Sequence, residues 1–134
     1  MEFNFCLFLI GIPLLMVIDY LWINILNKKF YLKSFKGIGR VDEKGWNIWF
    51  FPGLLSWMLI IFGIVFFVFN LASNNTEFFL YGAAMGFLIY GIYDTTNLAT
   101  LKNYSKSFAL IDTLWGTLLC GLISLILYRI SFIF

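Results

Sequence analysis

Four long apolar segments constrain what this 134-residue chain can fold into. They cover residues 3–26, 46–71, 78–99 and 108–132. A helix needs about 20 apolar residues to cross the hydrocarbon core of a bilayer, and each segment is long enough. A helix also satisfies its own backbone polar groups, which lipid cannot do. The sequence therefore predicts a single all-α domain over residues 1–134, an integral membrane four-helix bundle with short loops.

Composition supports a lipid environment and excludes several classes of function. Hydrophobic residues make up 62% of the chain and charged residues only 12%, which is unlike a soluble domain. The net charge of +2 is too small to indicate a nucleic-acid partner. The chain contains no His, the commonest general base and zinc ligand, and its two cysteines lie in apolar segments. We therefore expect no metal, no cofactor and no disulfide framework.

Basic residues are distributed unevenly between the predicted loops. The loop between the first two segments carries six of the nine Lys and Arg residues, and the loop between the last two carries two more. The short turn at residues 72–76 carries none. By the positive-inside rule the two basic loops face the cytoplasm, so both termini face outward. We expect this N-out, C-out topology in a bacterial plasma membrane.

The first loop is predicted to be a basic amphipathic stretch in the headgroup interface. Aromatic residues are interspersed with lysines there, so that rings can insert between headgroups while ammonium groups bind lipid phosphates. Membrane lipids are therefore expected partners, and a merely solvated linker is the alternative. The residues assigned to this interface, including one from the second basic loop, are Lys28, Lys29, Phe30, Tyr31, Lys33 and Lys102.

Three aspartates interrupt the apolar segments: Asp19, Asp94 and Asp112. An unpaired Asp at the centre of a membrane helix costs about 2.5–3.5 kcal/mol on insertion scales, so such a residue faces protein or water. A rise of 1.5 Å per residue, counted from the flanking lysines, places all three at similar depth in the cytoplasmic half of the membrane. Because the three aspartates lie at similar depth on three different helices, we predict that they form one acidic layer.

Each aspartate shares a helix face with a polar or aromatic residue three positions later, namely Trp22, Asn97 and Trp115. If the bundle packs these faces inward, they form a pocket open to the cytoplasm. The alternative is that these groups only hydrogen-bond between helices. The residues assigned to this ligand, proton or cation site are Asp19, Trp22, Tyr93, Asp94, Thr96, Asn97, Asp112 and Trp115.

The same residues carry a resemblance to a known family. The stretches Asp19–Trp22, Tyr93–Lys102 and Asp112–Thr117 resemble the small predicted membrane proteins catalogued as domain of unknown function 2177, and the likeness covers essentially the whole chain. This sequence departs at Thr95, where the family usually has Leu, and at Tyr104, where it often has Trp. The resemblance implies a four-helix integral membrane protein. It implies no activity, so no catalytic residues are carried over.

Three functions remain open. The first is binding or transport of a proton, a cation or a small amphiphile in the acidic and aromatic pocket, which for transport requires a homo-oligomer or a larger membrane complex. The second is an accessory subunit in which the polar layer only holds the bundle together. The third is an enzyme acting on a lipid or isoprenoid, which ranks last because no nucleophile–base pair is evident.

Overall fold

Helices dominate the computed structural model, which describes residues 2–133 and leaves positions 1 and 134 of the predicted domain outside its description. Within the described residues there are five helices and one short β-hairpin. The prediction of a mainly helical chain is confirmed. In chain order the elements are α1 (Phe5–Leu26), α2 (Lys28–Phe35), β1 (Val41–Asp42), β2 (Gly45–Trp46), α3 (Phe50–Leu71), α4 (Asn75–Thr100) and α5 (Lys106–Ser131).

Three of these helices, α1, α3 and α5, are long and apolar enough to cross a membrane. They correspond to the first, second and fourth predicted spans. Helix α4 contains the third predicted span and has 26 residues, but its last two turns carry the polar string that begins at Tyr93. Composition alone therefore does not assign α4 to the membrane.

Polar caps mark where α4 and α5 begin. The side chain of Asn74 accepts a hydrogen bond from the Glu77 amide at 3.1 Å, and the side chain of Ser105 accepts one from the Phe108 amide at 3.1 Å. Each cap satisfies one of the N–H groups that the first helical turn leaves without a partner. The two helices are therefore joined only by the short loop at residues 101–105.

The start of α3 differs from the predicted span, which began at residue 46. Gly45, with a φ of 115°, is the first residue of β2, and in this hairpin Val41 pairs with Trp46 and Asp42 pairs with Gly45. Glycine adopts such a positive φ without the strain that a side chain would cause. The apolar Trp46 therefore belongs to the hairpin, and the helix begins at Phe50.

Helix α1 widens at its C-terminal end. Residues Leu21–Leu26 form a π-helix, and the Asn27 amide donates to the Trp22 carbonyl oxygen at 2.9 Å, five residues back. A π turn rotates the residues that follow it around the helix axis, and such turns are frequent at functional sites. The widened segment presents the Trp22 ring to α5.

Glycines allow α4 and α5 to approach closely. A methyl group added at Gly82 would lie 2.6 Å from the Cys120 carbonyl oxygen, and one added at Gly86 would collide with the Gly116 carbonyl oxygen. Small residues are the usual means of close helix contact in membrane proteins. Helix α1 packs against both α3 and α5. The buried apolar core consists mainly of Leu7, Leu15, Ile60, Ile61, Ile64, Val65, Val68, Phe78, Leu119, Ile123 and Leu127.

Candidate functional site

Asp19 of α1 is held by two indole rings. The Trp115 Nε1–H of α5 donates to its Oδ1 and the Trp57 Nε1–H of α3 donates to its Oδ2, each at 3.0 Å. The aspartate is 6% exposed, so these two bonds replace water. A buried carboxylate without such donors would be strongly destabilising. Asp19 therefore ties three helices together at one point.

Trp22 and Trp115 link this aspartate to a second one. Their rings stack with centroids 4.2 Å apart and an interplanar angle of 3°. The Trp22 Nε1–H donates to the Tyr31 hydroxyl oxygen at 2.9 Å, and that hydroxyl donates in turn to the Asp112 Oδ1 at 3.0 Å. Asp112 is 7% exposed. The network thus runs continuously from α1 through α2 to α5.

Tyr31 lies inside the protein rather than among lipid headgroups, where we had expected it. It is 3% exposed, and its ring makes an edge contact with Phe108 at 5.1 Å between centroids. Phe30 stacks on the Phe108 ring, so the aromatic face of α2 packs against α5. Burial, followed by the charge of Asp112, raises the pKa of the Tyr31 phenol, which keeps it protonated as a donor.

The lysines assigned to the headgroup interface lie on the outside of this packing. Lys28, Lys29 and Lys33 are exposed on α2, and Lys102 is exposed in the loop between α4 and α5. A helix with buried rings and exposed ammonium groups keeps the amphipathic character that the sequence predicted.

Asp94 of α4 is the most buried of the three aspartates, at 1% exposed. The Tyr104 hydroxyl donates to its Oδ1 at 2.7 Å and the Thr113 hydroxyl donates to its Oδ2 at 2.9 Å. Its Thr113 donor directly follows Asp112 on α5. Burial is the main cause that raises the pKa of the Tyr104 phenol, so this donor too stays protonated. We refer to the three buried aspartates and the side chains that donate to them as the acidic layer.

The remaining predicted site residues lie at the edge of this layer. Tyr93 is 51% exposed and Thr96 is exposed on the outer face of α4. Asn97 is half-buried, and its amide lies next to the hydroxyls of Tyr93 and Tyr104. The structure therefore does not join Tyr93 and Thr96 to the aspartates.

Three hydrogen-bond donors of the acidic layer are not among the residues predicted from the sequence: Trp57, Tyr104 and Thr113. Trp57 stands in an apolar helix with no charged neighbour, and Tyr104 lies in a loop. Spacing along one helix cannot indicate a donor that comes from another helix. Thr113 directly follows Asp112, so the sequence indicates a polar position there. Its hydrogen-bond partner, however, is Asp94 on the facing helix α4.

The open volume of the site lies beside the acidic layer, between α4 and α5. This α4–α5 groove has a volume of about 480 Å³. Its polar lining residues are Asp94, Thr95 and Thr113, which we call the floor of the groove, and Lys106, the first residue of α5. A smaller pocket of about 240 Å³ lies against Trp22 and Trp115 of the acidic layer. The apolar lining of the groove comes mainly from Phe87, Leu88, Gly91, Ile92, Leu98 and Leu110.

Metal coordination is not indicated in the part of the chain that the structure describes, where no group of three His, Cys, Asp or Glu residues is placed to hold an ion. The aspartate oxygens instead accept bonds from indole and hydroxyl groups. Hard cations prefer shells of six or more oxygens. The arrangement therefore offers hydrogen bonding and an apolar groove.

One family model matches this chain, described as "Predicted membrane protein (DUF2177)", over residues 4–129. No curated protein and no solved structure matches it. The matched range contains α1 through most of α5 and all three buried aspartates. The three membrane-length apolar helices agree with the family's description. The chain therefore belongs to the DUF2177 family of predicted membrane proteins.

Proposed function

We propose that this protein is an integral membrane protein that binds a small amphiphile in the α4–α5 groove. The observation that carries the proposal is the position of this groove, whose walls are apolar and whose floor includes a buried carboxylate, Asp94. A volume of about 480 Å³ lies within the range of small-molecule sites. An amphiphile suits such a groove because it brings a chain for the walls and a polar group for the floor.

The membrane arrangement that we propose has four spans, with α4 as the third. The exposed lysines of α2 and of the loop after α4 then lie on the cytoplasmic side, and both termini lie outside. Asp94, the charged residue within this span, is paired with Tyr104 and Thr113, which lowers the cost of placing a carboxylate in lipid. We propose a bacterial plasma membrane as the location, in which the positive-inside rule gives this orientation.

An amphiphile is favoured over a bare cation by the state of the carboxylates. Both oxygens of Asp19 accept indole N–H groups, and both oxygens of Asp94 accept hydroxyl groups. Asp19 is 6% exposed and Asp94 is 1% exposed, so a cation would have to give up its own water shell to reach either carboxylate. The groove, in contrast, is open beside them.

The proposal can be tested by filling the groove. A methyl group at Gly91 would meet only the Thr113 Cγ2, at 3.7 Å, which is ordinary contact, so Gly91→Leu places its bulk in the groove rather than in the helix interface. Gly53 of α3 has no atom near an added methyl group, so Gly53→Leu is the matched control. Native mass spectrometry from mild detergent should detect a bound lipid in the wild type and in Gly53→Leu, and none in Gly91→Leu. Equal retention by both variants would contradict the proposal.

A role as an accessory subunit of a membrane complex is the second candidate. It is favoured by one observation, that each buried aspartate accepts hydrogen bonds from within the chain. A polar layer of this kind can hold helices together without binding a ligand. This role predicts that the groove can be filled without consequence, so the Gly91→Leu variant distinguishes the two candidates.

A further inference from the structure

We infer that the ligand of the α4–α5 groove is a single-chain lipid with a phosphate headgroup and a free hydroxyl between chain and phosphate. This inference rests on the proposed function and names the ligand class for the same site. The single chain is inferred from the length of the groove, and the phosphate from the charge at one end. The free hydroxyl is inferred from the hydrogen bonds that the floor residues already make.

The length and volume of the groove fit one hydrocarbon chain. From Phe87 to Leu98 its wall follows α4 for about 17 Å, at a rise of 1.5 Å per residue. That length is close to one leaflet, half of a hydrocarbon core of about 30 Å. The groove lies between only two helices, so a chain within it contacts protein on both sides. We therefore assign one chain rather than two.

The cytoplasmic end of the groove carries a positive charge. Lys106 lines this end, and the exposed Lys102 lies in the adjoining loop. Residues 101–107 contain no Asp or Glu, and Asp94, the carboxylate that lines the groove, is 1% exposed and already accepts hydrogen bonds from Tyr104 and Thr113. An ammonium group at this position complements a phosphate, for which Lys acts as a point charge. The lipid would therefore enter with its phosphate toward the cytoplasm and its chain toward Phe87.

The polar atoms at the floor are available as acceptors and not as donors. The Thr95 hydroxyl donates to the Gly91 carbonyl oxygen at 2.6 Å, and the Thr113 hydroxyl donates to Asp94 at 2.9 Å. Each hydroxyl has a single hydrogen, so these two oxygens of groove-lining residues can only accept a further hydrogen bond. The ligand must therefore supply the donor. A free hydroxyl next to the phosphate, as in a monoacylglycerol phosphate, places a donor at this point.

Three probe lipids with the same oleoyl chain separate these contributions. They are oleoylglycerol phosphate, oleoylglycerol without the phosphate, and oleoyl-propanediol phosphate without the free hydroxyl. In competition experiments followed by native mass spectrometry, we expect oleoylglycerol phosphate to bind about tenfold more tightly than either of the others. The lipid without phosphate loses the interaction with the ammonium group, and the lipid without the free hydroxyl loses the hydrogen bond to the floor.

Variants of single lysines assign the charge to the groove. Lys106→Gln should abolish the preference for oleoylglycerol phosphate over oleoylglycerol. Lys33→Gln, which changes an exposed lysine on α2 that does not line the groove, should leave that preference unchanged. Equal binding of all three lipids by the wild type, with loss of all three in Gly91→Leu, would overturn this inference while supporting the proposed function. No binding of any of them would overturn both.

Discussion

The indole rings of Trp22 and Trp115 lie parallel to within 3°, with their centroids 4.2 Å apart. The two rings belong to α1 and α5, and their N–H groups point to different parts of the acidic layer. Trp115 donates to Asp19, and Trp22 donates to the tyrosine that holds Asp112. The stack therefore joins two carboxylate sites that lie on helices far apart in the sequence.

Removing one indole donor should destabilise the fold. Trp115→Phe keeps an aromatic ring next to Trp22 but leaves the Asp19 Oδ1 without its hydrogen bond. We expect the free energy of unfolding to fall by about 1–3 kcal/mol, since a buried acceptor loses its partner. Trp49→Phe, at an exposed position before α3, is the control and should change stability by less than about 0.5 kcal/mol. Thermal or denaturant unfolding in detergent measures both, and equal effects would contradict the role of Asp19 in the layer.

The Tyr31 hydroxyl should hold α2 against the membrane helices. Tyr31→Phe keeps the ring contacts with α5 but removes the donor to Asp112 and the acceptor for Trp22. We expect faster hydrogen exchange in the amides of α2, because a segment with fewer buried contacts opens more readily. Tyr81→Phe on the exposed side of α4 serves as the control. Unchanged exchange in α2 would show that ring packing alone holds it.

Alkaline pH should weaken the fold through the two buried phenols outside the spans. Burial raises the pKa of Tyr31 and of Tyr104 above the ordinary value of about 10. Between that value and the raised value, the unfolded chain releases protons that the folded chain retains, so stability is complete below pH 10 and declines above it. Melting temperatures measured from pH 8 to pH 11 should fall, and the decline should be shallower in a Tyr31→Phe, Tyr104→Phe double variant. Parallel curves would contradict this assignment.

Alanine substitutions should have opposite effects at two glycines. Gly86→Ala inserts a methyl group against the backbone of α5, which cannot move aside as a flexible side chain could. Overpacking of this kind costs about 1–3 kcal/mol. At Gly53 the added methyl group meets nothing, and Ala favours the helix by about 0.5–1 kcal/mol. Melting temperatures should therefore fall for Gly86→Ala and rise slightly for Gly53→Ala.

The helices and the polar layer were predictable because bilayer physics constrains them directly. Hydrocarbon thickness dictates the length of an apolar segment, and the cost of a charge in lipid marks Asp19, Asp94 and Asp112 as residues that require partners. The helical content and three apolar spans follow that expectation. The start of α3 was placed four residues too early because hydropathy does not distinguish an apolar residue in a hairpin strand, such as Trp46 in β2, from one in a helix.

The partners of the aspartates were less predictable, since they depend on contacts between helices. Trp57 and Tyr104 donate to carboxylates on other helices, and neither lies at a fixed sequence distance that would indicate it. Tyr31 illustrates a second limit. An amphipathic pattern indicates that one face of α2 is apolar, but the same face suits a membrane surface or the side of α5.

The most direct test of amphiphile binding maps where a lipid chain resides. A photoreactive lipid with a diazirine in its chain would be incorporated into nanodiscs with the protein, and its crosslinks would be located by mass spectrometry. We predict enrichment at Phe87 and Ile92 in the groove over the exposed Leu59 and Phe67 of α3, and loss of that enrichment in Gly91→Leu but not in Gly53→Leu. Crosslinks spread evenly over all exposed apolar residues would contradict a binding site in the α4–α5 groove.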